Sequence, residues 1–264
     1  MSNPIISNPI YYIGVDIGST CTKTAVFDTA GQLRKSYTQP TGWSSADTAN
    51  NVGERLSKEG ISPENSLCVA TGYGRVSVPF AAKTVTEITC HARGAAWLYG
   101  GSELTVIDVG GQDTKIISVQ RGKVSDFMMN DKCSAGTGRF LDVMSNSLGV
   151  RQAELCELAS RGGGVTISSM CTVFAESEVI GLIGRGESRE NIAYAVIDSI
   201  VKKVASQAKR LSNPGSRVCL TGGLCNFAYI HTALQRELQT AVLYDKRGQY
   251  AGAIGAALLA GDMI

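Results

Sequence analysis

Two short segments of this chain put glycines, hydroxyls, an acid and a lysine in the same order. The first is Val15-Asp-Ile-Gly-Ser-Thr-Cys-Thr-Lys23 and the second is Ile107-Asp-Val-Gly-Gly-Gln-Asp-Thr-Lys115. Asp16 answers to Asp108, Gly18 to Gly110, Thr22 to Thr114 and Lys23 to Lys115, at a constant offset. Glycine lets backbone N–H groups approach an anion closely. Ser19, Thr20 and Thr22 add hydroxyl donors, and Lys23 adds charge. One such turn can hold a phosphate, and two facing turns can hold a polyphosphate between them. Asp16 and Asp108 then suit Mg²⁺, through its water shell. Hydrolysis needs a water held in line with the γ-phosphate. Gln112, Asp108 and Asp113 are the candidates to position and activate it, with Lys23 and Mg²⁺ offsetting the phosphate charge. A single turn of this kind is an ordinary glycine hairpin. Its repetition, with Thr221-Gly222-Gly223 downstream, favours a nucleotide clamp.

The elements around each turn repeat as well. Apolar runs lead in (Tyr11 to Ile17; Leu104 to Val109) and out (Thr24 to Phe27; Ile116 to Val119), which reads as a β-hairpin in both places. A third strand is expected after each, over Gln32 to Thr38 and Lys123 to Met129. Two related lobes are the simplest explanation. Helices are expected at Ser45 to Lys58, His91 to Tyr99, Thr137 to Leu148, Thr172 to Leu182 and Glu187 to Leu211. Arg217 to Leu220 should be a short strand. Ala251 to Ala260, nearly free of charge, should be a buried closing helix. This predicts a first lobe over 10–102, a second over 103–248, and a C-terminal helix over 249–264 packing back on the first.

A third glycine segment, Cys133-Ser-Ala-Gly136-Thr-Gly138, opens a predicted helix. Ser134 or Thr137 could cap it, and its N–H groups would point back at whatever precedes it. Of the 264 residues, 44% are hydrophobic and 18% charged, with a net charge of +2 and no basic stripe, which excludes nucleic acid as an expected partner. No run is long and apolar enough to span a membrane, and residues 1–12 carry no charged leader. A cytoplasmic protein with reduced thiols is expected. Six of its eight cysteines, Cys133 and Cys171 excepted, read as packing or backbone positions. His91 reads as a surface or capping residue.

The ordered set Gly14 to Thr20, Ile107 to Asp113 and Thr221 to Gly223 resembles the phosphate and adenosine signatures of the acetate and sugar kinase, heat-shock chaperone and actin superfamily. More narrowly, Met129-Asn-Asp-Lys-Cys-Ser-Ala-Gly-Thr-Gly-Arg-Phe-Leu141 and Cys171-Thr-Val-Phe-Ala-Glu-Ser-Glu178 resemble the activators of 2-hydroxyacyl-CoA dehydratases and the ATPase subunits of benzoyl-CoA reductases. The resemblance implies an α/β fold of two duplicated ribonuclease H-like lobes, as in actin-like ATPases. It also implies a homodimer around one [4Fe-4S] cluster with Cys133 and Cys171 as ligands. ATP turnover, through ADP, would drive one low-potential electron from a ferredoxin or flavodoxin into a partner dehydratase or reductase. Ser19, Thr20, Cys21, Thr22, Lys23, Gln112, Gly222 and Gln249 would line the nucleotide site, together with the glycines Gly18, Gly110, Gly111, Gly136, Gly138 and Gly223. The pattern departs at Cys225-Asn226-Phe227, where an Asn is shifted, and at Ala251, where Asn is expected.

A [4Fe-4S] cluster ordinarily takes four thiolates, and a two-fold axis would supply them from two per chain. Each cysteine precedes a predicted helix, whose N-terminus favours an anion by roughly 0.3–1 kcal/mol. Taken singly, either cysteine is more simply a buried thiol, and a zinc site across a dimer is a chemical alternative. The rival functions are a small-molecule kinase of the same fold and a nucleotide-switched regulatory ATPase.

Overall fold

The computed structural model describes residues 10–168, 171–213 and 215–264. The chain divides into two compact units, one made of residues up to 102 with 119–124 and 247–264, the other of 103–118 with 125–246.

In the first unit, β1 (Tyr11–Ile17) and β2 (Cys21–Asp28) form the first hairpin, and β3 (Leu33–Pro40) adds to β2. Helix α1 (Ser45–Lys58) follows. The Ser44 hydroxyl caps it by accepting from the Asp47 N–H, and Ala49, Val52 and Leu56 fall on its buried face. Strands β4 (Ser66–Thr71) and β5 (Lys83–Thr84) then run parallel to β1 on its other side. The order is β3-β2-β1-β4-β5. Helix α2 (Glu87–Tyr99) closes the segment.

The second unit repeats this order. Strands β6 (Leu104–Val109), β7 (Thr114–Gln120), β8 (Lys123–Asn130), β9 (Arg217–Gly222) and β10 (Val242–Leu243) lie as β10-β9-β6-β7-β8. Counted from each unit's first strand, both sheets read 3-2-1-4-5. That is the ribonuclease H-like arrangement, duplicated, and the fold is the actin-like one. The first strand is central in each sheet. That is why Ile13 to Ile17 and all of β6 are buried, while no residue of the edge strands β3 and β8 is fully buried.

Between β8 and β9 the second unit inserts α3 (Gly138–Leu148), α4 (Gln152–Ala159), α5 (Thr172–Gly184) and α6 (Arg189–Leu211). Helix α7 (Ala228–Leu238) follows β9. The apolar stripe Ile192, Val196, Ile200 and Val204 of α6 forms part of one core with Phe140, Leu141 and Met144 of α3. Helix α6 begins at Arg189 rather than Glu187, because Ser188 takes the cap by accepting from Asn191 N. Helix α2 begins at Glu87, a turn before the expected His91, with Thr86 at its cap. Strands β4, β5 and β10 and helices α4 and α7 lie outside the sequence expectations. Among the described residues no helix is long and apolar enough to cross a membrane.

The last helix, α8 (Ala251–Gly261), belongs to the first unit and packs on β1, β4 and α2. The approach is close because glycines stand at the crossings. A Cβ on Gly14 would strike the Ala253 carbonyl, one on Gly94 the Ala251 carbonyl, and one on Gly255 the Cys90 carbonyl. Gly255→Ala should therefore destabilise the protein by about 1–3 kcal/mol, overpacking outweighing alanine's better helix propensity. Gly163→Ala, with nothing near its Cβ position, should stay within about 0.5 kcal/mol. Chemical denaturation of both variants measures the difference.

Candidate functional site

In the first unit, Asp16 sits near the end of central strand β1, paired in register with Lys23 on β2. Asp16 itself is only 5% exposed. The turn between the strands is Gly18-Ser19-Thr20, and a Cβ on Gly18 would meet the Cys21 carbonyl at 2.9 Å. Thr41 braces this turn. Its Oγ1 donates to the Gly18 carbonyl at 2.7 Å and lies 2.9 Å from Thr22 Oγ1, and its N–H donates to the Thr20 carbonyl. Thr22 is thus engaged inside the fold, while Gly18, Ser19, Thr20, Cys21 and Lys23 keep exposed surface. Sequence reasoning passed over Thr41, which lies beyond the hairpin, at the foot of β3.

In the second unit, Asp108 holds the equivalent place at the end of β6 and is 1% exposed. Thr221 Oγ1 donates to Asp108 Oδ1 at 2.8 Å. Lys115 Nζ lies 2.7 Å from Asp113 Oδ2 and 3.6 Å from Asp108 Oδ2, and this lysine is itself 3% exposed. Two buried carboxylates therefore share one buried ammonium. The turn closes with the Gly110 N–H donating to the Asp113 carbonyl at 2.9 Å, and Gln112 is exposed at its tip. Asp113 thus faces inward on Lys115, and Gln112 is the hairpin's exposed polar side chain.

The repeat extends further than the hairpins. Thr71-Gly72 ends β4 as Thr221-Gly222 ends β9, and both glycines take positive φ, 88° and 86°. A Cβ on Gly72 would stand 2.7 Å from Asp16 Oδ1, and one on Gly222 would stand 2.9 Å from Asp108 Oδ1. Each strand end thus clears space for the acid beside it. Gly223 opens a short 3₁₀ turn after Gly222, and Gln249 lies half-buried in another just before α8.

The cysteine segments lie in the second unit. Of eight free cysteines only Cys133 and Cys171 are exposed. Burial pushes the thiols of Cys90, Cys156 and Cys219 up to about 12, and those of Cys68 and Cys225 are also raised. Those five do not offer thiolates at neutral pH. Cys171 is the N-cap residue of α5. Asn130, at the end of β8, donates its side-chain amide to the carbonyls of Cys133 and Ala135. Ser134 Oγ and Thr172 Oγ1, each next to a cysteine, are hydrogen-bonded at 2.8 Å, so the two segments are neighbours.

Helix α3 departs from expectation. It begins at Gly138, and the N-cap residue Thr137 makes no side-chain cap, its hydroxyl donating instead to the Ser134 carbonyl. The first N–H groups do not face the cysteine. Gly138 N–H donates to the Gly110 carbonyl at 2.9 Å and Arg139 N–H to the Gly111 carbonyl at 2.7 Å. Thr114 Oγ1 donates to the Gly136 carbonyl at 2.6 Å. The Cys133 loop and the second glycine hairpin are therefore laced together. Gly136 and Gly138 serve that seam, and the Gly138 site is tight, since a Cβ there would come within 3.2 Å of the Gly110 carbonyl.

A duplicated ribonuclease H-like fold with a glycine hairpin and a buried aspartate in each half is that of the actin-like ATPases. Within that class, residues 13–260 match the BadF/BadG/BcrA/BcrD ATPase family, and the chain belongs to it. It is 39% identical over 254 residues to the (R)-2-hydroxyglutaryl-CoA dehydratase activating ATPase of Acidaminococcus fermentans, covering 95% of this chain and 97% of that protein. The crystal structure of component A of that organism's dehydratase superposes with a TM-score of 0.90 at 38% identity, covering 96% of this chain and 98% of the other. A Clostridium difficile activator of 2-hydroxyisocaproyl-CoA dehydratase, solved with bound ADPNP, gives 0.88 at 37% identity, covering 96% and 95%.

The shared ammonium makes Lys115 indispensable to its hairpin. Lys115→Met should cost about 3–5 kcal/mol, because two buried carboxylates lose the ammonium they share. Lys115→Met combined with Asp113→Leu should recover part of that loss. Urea denaturation of the single and double variants tests this, and equal stability of Lys115→Met and wild type would contradict it.

Proposed function

We propose that this chain is an ATP-hydrolysing activator that couples nucleotide turnover to the transfer of a low-potential electron into a 2-hydroxyacyl-CoA dehydratase or a related reductase. The observation that carries the reading is the seam in the second unit. The loop bearing exposed Cys133 is hydrogen-bonded directly to the Gly110-Gly111 turn and, through Ser134, to the N-terminus of the helix that Cys171 caps. A redox site and a phosphate site in one family of hydrogen bonds is what such coupling needs. The similarity to dehydratase-activating ATPases supports the same partner class.

The two thiols suit half of a shared site. Both are exposed and on adjoining segments, and the described residues contain no group of three His, Cys, Asp or Glu that could hold a metal. A four-thiolate centre would therefore draw Cys133 and Cys171 from each of two copies of the chain. A [4Fe-4S] cluster bound there would supply one-electron chemistry at low potential. The N-terminus of α5, capped by Cys171, favours the negative charge of such a site. A ferredoxin or flavodoxin would be the donor.

At the nucleotide, the backbone amides of Gly18 to Cys21 and of Gly111 and Gln112 would take the phosphates, and Lys23 would offset charge. Asp16 and Asp108 would orient the waters of Mg²⁺, and exposed Gln112 would position the attacking water. Asp113, paired with Lys115, would hold the turn in shape.

Two expectations follow. Asp16→Ala and Asp108→Ala should each lower ATP turnover by about two orders of magnitude, the scale of several kcal/mol of lost charge stabilisation. Unchanged turnover in both would remove the hairpins from the nucleotide site. Anaerobically purified protein should hold about four irons per dimer. Cys133→Ala and Cys171→Ala should each lose the iron and unfold at nearly the temperature of cluster-free wild type, since both side chains are exposed. Iron and sulfide assays decide the ligand assignment, and full iron in either variant would refute it.

A further inference from the structure

We infer that His91 is a positioning residue that holds the carboxylate of Asp16 from behind, on the side closed by α2 and α8. The inference rests on the reading that Asp16 serves the nucleotide. The sequence suggests a surface residue, but His91 lies in the second turn of α2 and is 6% exposed. Its Nε2 is 3.9 Å from Asp16 Oδ2. That is beyond a direct hydrogen bond but close enough for a small shift, or one water, to join the two groups.

The surroundings are shaped for this pair. A Cβ on Gly252, at the start of α8, would stand 2.6 Å from Asp16 Oδ2 and 2.8 Å from His91 Nε2. On the other oxygen, Gly72 leaves the same kind of space beside Oδ1. Glycine on both sides lets the carboxylate sit in a slot whose inner wall carries a ring nitrogen. The neighbouring side chains of α2 and α8 are mostly small or apolar, with Cys90, Ala92, Ala95, Ala253 and Ala256 buried and Trp97 packed alongside. A leucine would fill the place of His91 there without burying a polar ring, which costs free energy unless the ring is used. In the second unit the matching acid, Asp108, is held by Thr221 and Lys115. His91 gives Asp16 its own restraint by a different residue, one that the repeat does not reveal.

The test is steady-state ATP hydrolysis by the full-length protein, with Mg²⁺ titrated. His91→Leu should fold and lower kcat by about tenfold to a hundredfold, the cost of a misplaced group. The KM for nucleotide should change little, and the Mg²⁺ concentration for half-maximal rate should rise. His91→Gln, which keeps an N–H donor, should regain most of the rate. If His91→Leu does not fold, His91→Met, equally without a donor, takes its place and must lower kcat in the same way. Wild-type kcat and Mg²⁺ dependence in His91→Leu or, failing that, His91→Met would overturn the inference, as would Gln performing no better than the donor-free variant. Asp16→Asn is run alongside. If it keeps full turnover, the nucleotide reading itself fails; if it is inactive while His91→Leu is normal, only the role of His91 falls.

Discussion

Two carboxylates held almost out of water at the ends of central strands constrain most of what surrounds them. An ionised acid at that depth is costly unless neighbours stabilise it. Asp108 meets this with the Thr221 hydroxyl and the Lys115 ammonium, and Asp16 has His91 within reach. Space has to be provided as well as charge. Gly72, Gly222 and Gly252 stand where any side chain would press on a carboxylate oxygen. The same economy explains the glycines along α2 and α8, because the helices can close over β1 only where backbone meets backbone.

The two units solve one problem with different parts. Sheet order, hairpin, threonine-glycine strand end and buried acid are common to both. Between the third and fourth strands, however, the first unit has a single helix and the second has four, α3 to α6. That insertion carries both exposed cysteines, or leads directly into it, as the Cys133 loop does. The hairpin frame is common to both halves, and the exposed cysteines are confined to one.

The hairpins were legible in the sequence because their chemistry is local: acid, glycine turn and lysine recur within one stretch. The third strands and the long amphipathic α6 were legible from periodicity. Strands β4, β5 and β10 were not, since β5 and β10 are only two residues long and β4 pairs with β1, far away in sequence. The Thr71-Gly72 repeat of Thr221-Gly222 is too short to stand out from composition. A helix starting at His91 puts that residue at the surface, whereas α2 starts a turn earlier and buries it. Thr86 followed by Glu87 in the first turn is the signal for that earlier start. Lys115 aligned with Lys23, yet nothing local shows that one is buried between two acids and the other keeps solvent contact. The cysteines were singled out by their segments, but the direction of α3 was not foreseen, because its first amides are claimed by a turn more than twenty residues earlier.

Those two amide bonds, from Gly138 and Arg139 to Gly110 and Gly111, have a bearing on how such a protein can diverge. Backbone bonds do not themselves depend on side-chain identity, so what they require of the sequence is the room that Gly136 and Gly138 leave. They do not survive a change of length, since adding or removing one residue between Asn130 and Gly138 would rotate the helix away from its acceptors. The loop that presents Cys133 is therefore fixed in count, and its length is set by the glycine turn it leans on.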